Sequence, residues 1–549
     1  MAFQYLKNNS NSNGLRQRLS NRLTILFLST IVLFSLIGEF AKIMFSLNHN
    51  ENMYITASIL VVQNKIPYKD FAYVQMPYLP LLYGNLYRLM KISSYYLLIG
   101  KIISFLSLCI SAAAIFFVAH RVIKDVSLSL SVGILFLLNT SILGSAMEVS
   151  NYIIPIALSL VSFALFEVSI NSNRVRPFGF AIAGFFLAVA IGVKLTYATV
   201  AIPFIVVCIL HQVISRFSTD NTNNKTSFVY ILPPFITGLL VGLLPIFFYL
   251  SDIGTFIFNN YGYHIVNAQW RQDTGYTSGM SLFSKIIFAR DIFFQTDNLI
   301  LILGVLLGIV LFAKRNSRTI RQTIKEELTK GTLLAFLLFL IAIPTAFAPT
   351  PSFPQYFVMP VSFLFLLLVY SQAPKPSQEP SKLLIRILHK KLILILVLVS
   401  LMYNGPSLGK SIYHLMNRNS WSGLYVHDIS INIRNTLLIN GVDINSKIAT
   451  LSPLYVIEAN LPIYSELSTG PFTYRIGDLL TSEDRKHFVV TSPNSIWNLL
   501  SKDRPSAILV GFEEDLDIPF IVYAVAHHYK KVDGFFGGGD LYILKTDKP

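Results

Sequence analysis

Cysteine is nearly absent: the 549 residues contain two, Cys109 and Cys208, each inside an apolar run. A disulfide framework and a cysteine metal pair are thereby excluded as supports of the fold, and both thiols read as packing residues. Charge is scarce as well. Lys, Arg, Asp and Glu make up 13% of the chain against 53% hydrophobic residues, and the mean hydropathy is +0.56. Such values are far from those of a soluble domain. Acids are the scarcest: 29 Asp and Glu against 44 Lys and Arg leave a net charge of +15. A nucleic-acid surface would gather that excess on one soluble face. Here the basic residues fall between apolar runs, so they read as topology signals. Gly537-Gly538-Gly539 has no helix start after it, which makes it a turn before the last strand and not a phosphate loop.

What the chain has in quantity is apolar length. Bounded at charge, Pro and Asn clusters, the runs fall near 23–47, 97–119, 126–146, 152–170, 178–193, 195–214, 228–250, 296–313, 331–349, 355–371 and 388–405. A bilayer core about 30 Å thick takes roughly 20 residues per helix, so these runs predict a polytopic membrane protein. The pair 178–193 and 195–214 is short and joined only at Lys194. The first run is too long for a signal-peptide core and lacks a small-residue cleavage site, so it is expected to stay as an anchor. With the N-terminus cytoplasmic, the inner segments 1–22, 120–125, 171–177, 215–227, 313–330 and 372–391 carry most of the interspan Lys and Arg. That agrees with the positive-inside rule. The expected organisation is a cytoplasmic tail 1–22, a transmembrane domain 23–405 with outer loops 48–96 and 251–295, and an extracytoplasmic domain 406–549. No Asn-x-Ser/Thr sequon falls in the predicted outer regions, which leans away from a glycosylated luminal protein. In the last domain, β-like runs at 447–451, 506–510 and 541–544 alternate with helix-like runs at 454–461 and 518–529, the order of a small α/β domain.

The outer loop 48–96 holds two carboxylates, Glu51 and Asp70. An acid at the bilayer surface is costly and needs a reason. A partly desolvated Glu51 would accept a proton from an attacking hydroxyl; alternatively it favours the first turn of a helix near 52–63 through the helix dipole. Met53, Ile55, Ile59 and Val62 predict an apolar stripe lying along the membrane. Asp70, after Pro67, reads equally as a second acid or a turn carboxylate. In the loop 251–295, His264, Trp270 and Arg271 lie among Tyr261, Tyr263 and Tyr276. An arginine fork with aromatics around it suits a phosphate and a sugar or isoprenoid path, and a rim of interfacial anchors has the same composition.

The pattern Asn50-Glu51-x-x-Tyr54, with Ile66-Pro67-Tyr68-Lys69-Asp70-Phe71 and Gln75-Met76-Pro77, resembles the first outer loop of the GT-C glycosyltransferases. The nearest groups are the protein O-mannosyltransferases and the aminoarabinose transferases of lipid A. The resemblance implies a mostly α, polytopic GT-C-like fold of about eleven transmembrane helices with a small extracytoplasmic α/β domain. It implies transfer of a sugar from a polyprenyl-phosphate carrier to a lipid, glycan or protein acceptor at the outer face of a bacterial plasma membrane. No cofactor is expected, and no divalent metal is indicated. The family's loop usually carries an acidic pair led by the base; Asn50 stands in the leading place, so the role passes to Glu51 or Asp70. Tyr54 and Gln75 come with the same motif as substrate-binding positions, Gln75 standing where some relatives have a lysine. Gly192-Val193-Lys194 looks like a Gly-x-Lys element of the family, with Lys194 toward the carrier phosphate, and Gln355-Tyr356 resembles its late Gln-Tyr element. A flippase or transporter of lipid-linked glycans, or a surface-glycan polymerase or ligase, is the alternative. Inverted halves are not visible, and the loops after 296 are short apart from the tail.

Overall fold

The computed structural model describes residues 2–171, 176–216, 227–313, 331–373 and 380–544. Parts of the basic segments 171–177, 215–227, 313–330 and 372–391 fall outside them. Each of the eleven apolar runs is helical, 126–146 as two helices. Among the described residues, six helices are long and apolar enough to cross a bilayer: Asn21–Phe45, Tyr96–Ile123, Ile153–Ile170, Ile231–Asp273, Pro354–Ser371 and Lys390–His414. Two further pairs qualify together but are bent: Val126–Leu137 with Thr140–Ala146 by 60°, and Leu282–Phe293 with Thr296–Ile309 by 77°. Pro177–Val193, Leu195–His211 and Thr332–Phe347 are apolar but shorter. The protein is a multi-pass membrane protein.

Small residues set the closest helix contact. Pro177–Val193 packs against Ser227–Tyr249, where a Cβ on Gly184 would meet the Phe235 carbonyl and one on Gly238 the Ala181 carbonyl. Between helices surrounded by lipid, close backbone approach replaces the hydrophobic drive that water would supply.

The first outer loop departs from the expected interfacial stripe. Its helix Glu51–Val62 is buried on every face from Glu51 to Val61, so Met53, Ile55 and Ile59 pack inside protein and do not rest on the membrane. The reason lies above it: the C-terminal domain covers the loop. The Ser468 hydroxyl donates to the Ala72 carbonyl at 3.2 Å, Leu454 N–H to Asn52 Oδ1 at 3.2 Å, and Ser422 to the Met44 carbonyl at 3.0 Å. Glu458 accepts the Tyr95 and Tyr96 N–H groups at 2.5 and 3.0 Å, capping the start of Tyr96–Ile123.

In that domain β1 (Ile448–Ala449), β2 (Ala507–Val510), β3 (Lys530–Phe536) and β4 (Gly539–Ile543) form one sheet in the order β1-β2-β4-β3. β1 runs parallel to β2, and the other pairs are antiparallel, with Ala507 opposite Ile543 and Lys530 also opposite Ile543. The three expected strands are present. β3 was not expected, because Lys530, Lys531 and Asp533 break the apolar signal. Those charges suit the exposed edge it occupies.

Candidate active site

The break between the bent helices Val126–Leu137 and Thr140–Ala146 is made by Asn139, whose side chain caps the second by accepting the Ile142 N–H at 3.1 Å. The second helix ends at Ala146, and the next begins at Ile153. Between them Glu148 is 8% exposed. Its Oε2 accepts a hydrogen bond from Asn50 Nδ2 at 3.2 Å. Glu148 and Asn50 line a cavity of about 440 Å³ with Asn48, Thr140, Ser141, Ser145, Gln295, Asp297, Gln355 and Tyr403. A larger apolar groove of about 670 Å³ between Phe293, Ile302, Val305 and Leu367 is lined by no acid and no cation. The chemistry therefore belongs to the smaller, polar space. Burial pushes the Glu148 carboxyl above the usual glutamate range and Glu51 adds to the rise, while the Asn50 hydrogen bond and Lys101 oppose it.

Glu51 does not reach that cavity. It is fully buried and ion-paired with Lys101, Nζ to Oε1 at 2.6 Å. Its Oε1 also accepts the Val149 N–H at 2.7 Å and its Oε2 the Asn48 N–H at 3.0 Å. Lys101, on the membrane helix Tyr96–Ile123, donates further to the Met147 carbonyl at 2.6 Å and to Ser46 at 3.0 Å. Both residues flanking Glu148 are thus held by the Glu51–Lys101 pair. Glu51, expected to face substrate, is placed inside the protein instead: Lys101 and two backbone N–H groups occupy three of its roughly four lone-pair sites, and it does not line the cavity. Of the two readings of Asp70, the structure shows the turn carboxylate: it accepts the Ile66 N–H at 2.7 Å, outside the cavity.

Of the other expected residues, Lys194, Tyr54 and Gln355 are neighbours of Glu148 or share its cavity. Lys194 sits at the break between Pro177–Val193 and Leu195–Tyr197, with its Nζ 3.3 Å from the Tyr152 ring centroid, 5.4 Å from that of Tyr356, and within electrostatic reach of Glu148. Gly192 allows this: a Cβ there would overlap the ring of Tyr78, a loop residue whose hydroxyl donates to the Gly242 carbonyl at 2.6 Å. Gln355 and Tyr356, on the short helix Pro354–Phe357, share a small cavity with Tyr152, whose ring centroid lies 6.3 Å from that of Tyr356, and Gln355 also lines the Glu148 cavity. Tyr54 is an electrostatic neighbour of Glu148, Tyr356 and Tyr263. Gln75 acts as a strut, its Oε1 accepting from Asn151 Nδ2 at 2.7 Å and so tying the first loop to the segment that carries Glu148. His264 neighbours Lys194. Arg271 lies over the rings of Tyr276 at 4.7 Å and Phe353 at 5.6 Å, and its buried Nε has no hydrogen-bond partner among the described residues. Among the described residues, no three His, Cys, Asp or Glu side chains gather into a metal-ligand set.

Glu148 was missed by sequence reasoning, although a signal existed: it is the sole charged residue between Asp125 and Glu167. Its place between two apolar runs hid it, because a five-residue connection looks like a plain turn.

Two crystal structures of ArnT from Cupriavidus metallidurans match nearly the whole chain. The form bound to undecaprenyl phosphate has a TM-score of 0.56 at 12% identity, covering 95% of this chain and 98% of ArnT. The apo form has a TM-score of 0.58 at 14% identity, covering 94% and 97%. The chain has the GT-C transferase fold. A more distant likeness is the archaeal oligosaccharyltransferase AglB from Archaeoglobus fulgidus, solved with an inhibitory peptide and a dolichol-phosphate; its TM-score is 0.43 at 12% identity, over 88% of this chain and 69% of AglB. No family model and no curated protein matches the sequence. Within this fold the first-loop position expected to hold an acid is Asn50, and it hydrogen-bonds an acid supplied by the connection between Thr140–Ala146 and Ile153–Ile170.

Proposed function

We propose that the protein transfers a sugar from a polyprenyl-phosphate carrier to a hydroxyl acceptor on the outer face of a bacterial plasma membrane, with Glu148 as general base. The observation that carries this reading is a buried carboxylate that accepts a hydrogen bond from Asn50, lines a polar cavity and has Lys194 as an electrostatic neighbour. The acceptor hydroxyl enters the cavity and gives its proton to Glu148 while its oxygen bonds to the sugar's anomeric carbon. The bond from that carbon to the carrier phosphate breaks, and the phosphate leaves with the electron pair toward Lys194 and Arg271. Stabilising charge that develops on the leaving group is usually the largest catalytic term. The undecaprenyl phosphate bound to ArnT supports this choice of carrier. Tyr54, Tyr356 and Gln355 would position the sugar, and His264 would sit beside Lys194. Glu51 and Lys101 are positioning residues acting through the backbone on either side of Glu148.

Two results are expected. Arg271→Ala and Lys194→Met should each weaken binding of undecaprenyl phosphate to the solubilised protein by about tenfold, the effect of one charge-assisted hydrogen bond; wild-type affinity in both variants would remove the cations from the site. The pH profile of transfer should also be displaced. A base works deprotonated, so activity is complete above its pKa and lost as pH falls through it. Because burial raises the Glu148 pKa, the acid limb should lie above the ~4.3 of a free glutamate. Asn50→Asp would set a second carboxylate against Glu148 and move the limb higher still, since like charges at contact cannot both ionise easily. A limb unchanged by Asn50→Asp would separate Glu148 from the reaction.

A further inference from the structure

The cation wall does not end with the membrane domain. Arg475 belongs to the C-terminal domain, on the helix Pro471–Ile476. Its Nε donates to Asn267 Oδ1 at 3.0 Å and its Nη2 to the Tyr263 hydroxyl at 3.2 Å. Its guanidinium lies over the rings of Trp270 at 5.3 Å and Phe472 at 5.1 Å. Tyr263, Asn267, Trp270 and Arg271 share the helix Tyr263–Asp273, and positions three and four apart fall on one face. Arg475 is therefore docked beside Arg271, and the two are electrostatic neighbours. His49, from the first outer loop, stacks on Phe472 at 5.7 Å; burial, then Arg475 and Arg271, lower its pKa. Glu513, in the C-terminal domain, is an acidic neighbour of Arg475.

Holding two guanidinium groups together in partly desolvated surroundings costs free energy that a bridging anion recovers. A planar fork is suited to phosphate. Here both forks are already oriented, one by aromatic faces and the other by aromatic faces and two hydrogen bonds.

We propose that Arg475 binds the carrier phosphate, so that the C-terminal domain supplies half of a two-arginine clamp whose other half is Arg271. This rests on the reading above and deepens it, because donor binding then requires the C-terminal domain to be seated on the membrane domain.

The experiment is equilibrium binding of undecaprenyl phosphate to the full-length, detergent-solubilised protein, comparing wild type, Arg475→Gln, Arg475→Lys and Asn267→Ala. Arg475→Gln is expected to bind at least about tenfold more weakly. Arg475→Lys should recover part of the loss. Asn267→Ala, which cuts the interdomain hydrogen bond and leaves the charge, should stay within about threefold of wild type. Equal losses in Arg475→Gln and Asn267→Ala would make Arg475 an interdomain staple and overturn the inference, as would wild-type affinity in Arg475→Gln. Wild-type protein without affinity for undecaprenyl phosphate would instead overturn the proposed carrier, and with it the ground on which the clamp stands.

Discussion

Glu148→Gln is expected to lower sugar transfer by about 10²–10⁴-fold, the usual contribution of a positioned general base. The amide keeps the shape of the side chain but takes no proton from an incoming hydroxyl. Binding of undecaprenyl phosphate should survive, because the cations proposed to hold the carrier, Lys194, Arg271 and Arg475, are left in place. Transfer of label from a polyprenyl-phosphate sugar by membranes carrying the variant measures the first effect, and carrier binding to the purified protein measures the second. Glu148→Asp should fall between, since shortening the chain draws the carboxylate back from the cavity toward its own backbone. Turnover at the wild-type rate in Glu148→Gln would return the base to another residue and leave the Asn50 hydrogen bond without a catalytic meaning.

The second large effect concerns stability. Glu51 and Lys101 are both wholly buried and 2.6 Å apart. Removing one partner of such a pair strands the other in a medium of low dielectric, at a typical cost of 3–5 kcal/mol. Lys101→Met should therefore lower the unfolding midpoint of the solubilised protein sharply, as should Glu51→Gln to a smaller degree, because an amide still accepts the Val149 N–H. The double variant should be more stable than Lys101→Met alone, since no uncompensated charge remains. Transfer should fall in all three, because each variant weakens a contact beside Glu148: without Lys101 the Met147 carbonyl loses its donor, and without the Glu51 charge the Val149 N–H keeps only a neutral acceptor. Lys101→Met with wild-type stability would mean that the pair is not closed to water. This test also separates the two carboxylates: loss in Glu148→Gln comes with an intact fold, whereas loss in Glu51→Gln comes with a weakened one.

Sequence and structure diverged over one residue of spacing and one loop. Asn50-Glu51 drew attention to Glu51 because it is the surviving acid of a recognisable loop, and the cost of a carboxylate near lipid seemed to require a catalytic purpose. Lys101 supplies another purpose. It lies near the start of an apolar run, and its sequence separation from Glu51 conceals the pairing. Asp70 takes the second of its two expected readings, a turn carboxylate: a turn needs an acceptor for its free N–H groups, and Ile66 N–H is at hand. Lys194, Gln355 and Tyr356 are each placed at a break between helices, where a polar residue has an evident place to go.

The sequence by itself determined the membrane architecture and the α/β tail, since apolar run length and the alternation of strand and helix patterns are local properties set by the solvent each segment must meet. Only the tertiary structure decided which acid faces the cavity, because that depends on which neighbours use up a carboxylate's lone pairs. It also decided that the C-terminal domain reaches the cation wall, through Arg475, since contacts between distant segments leave no periodic trace in the chain.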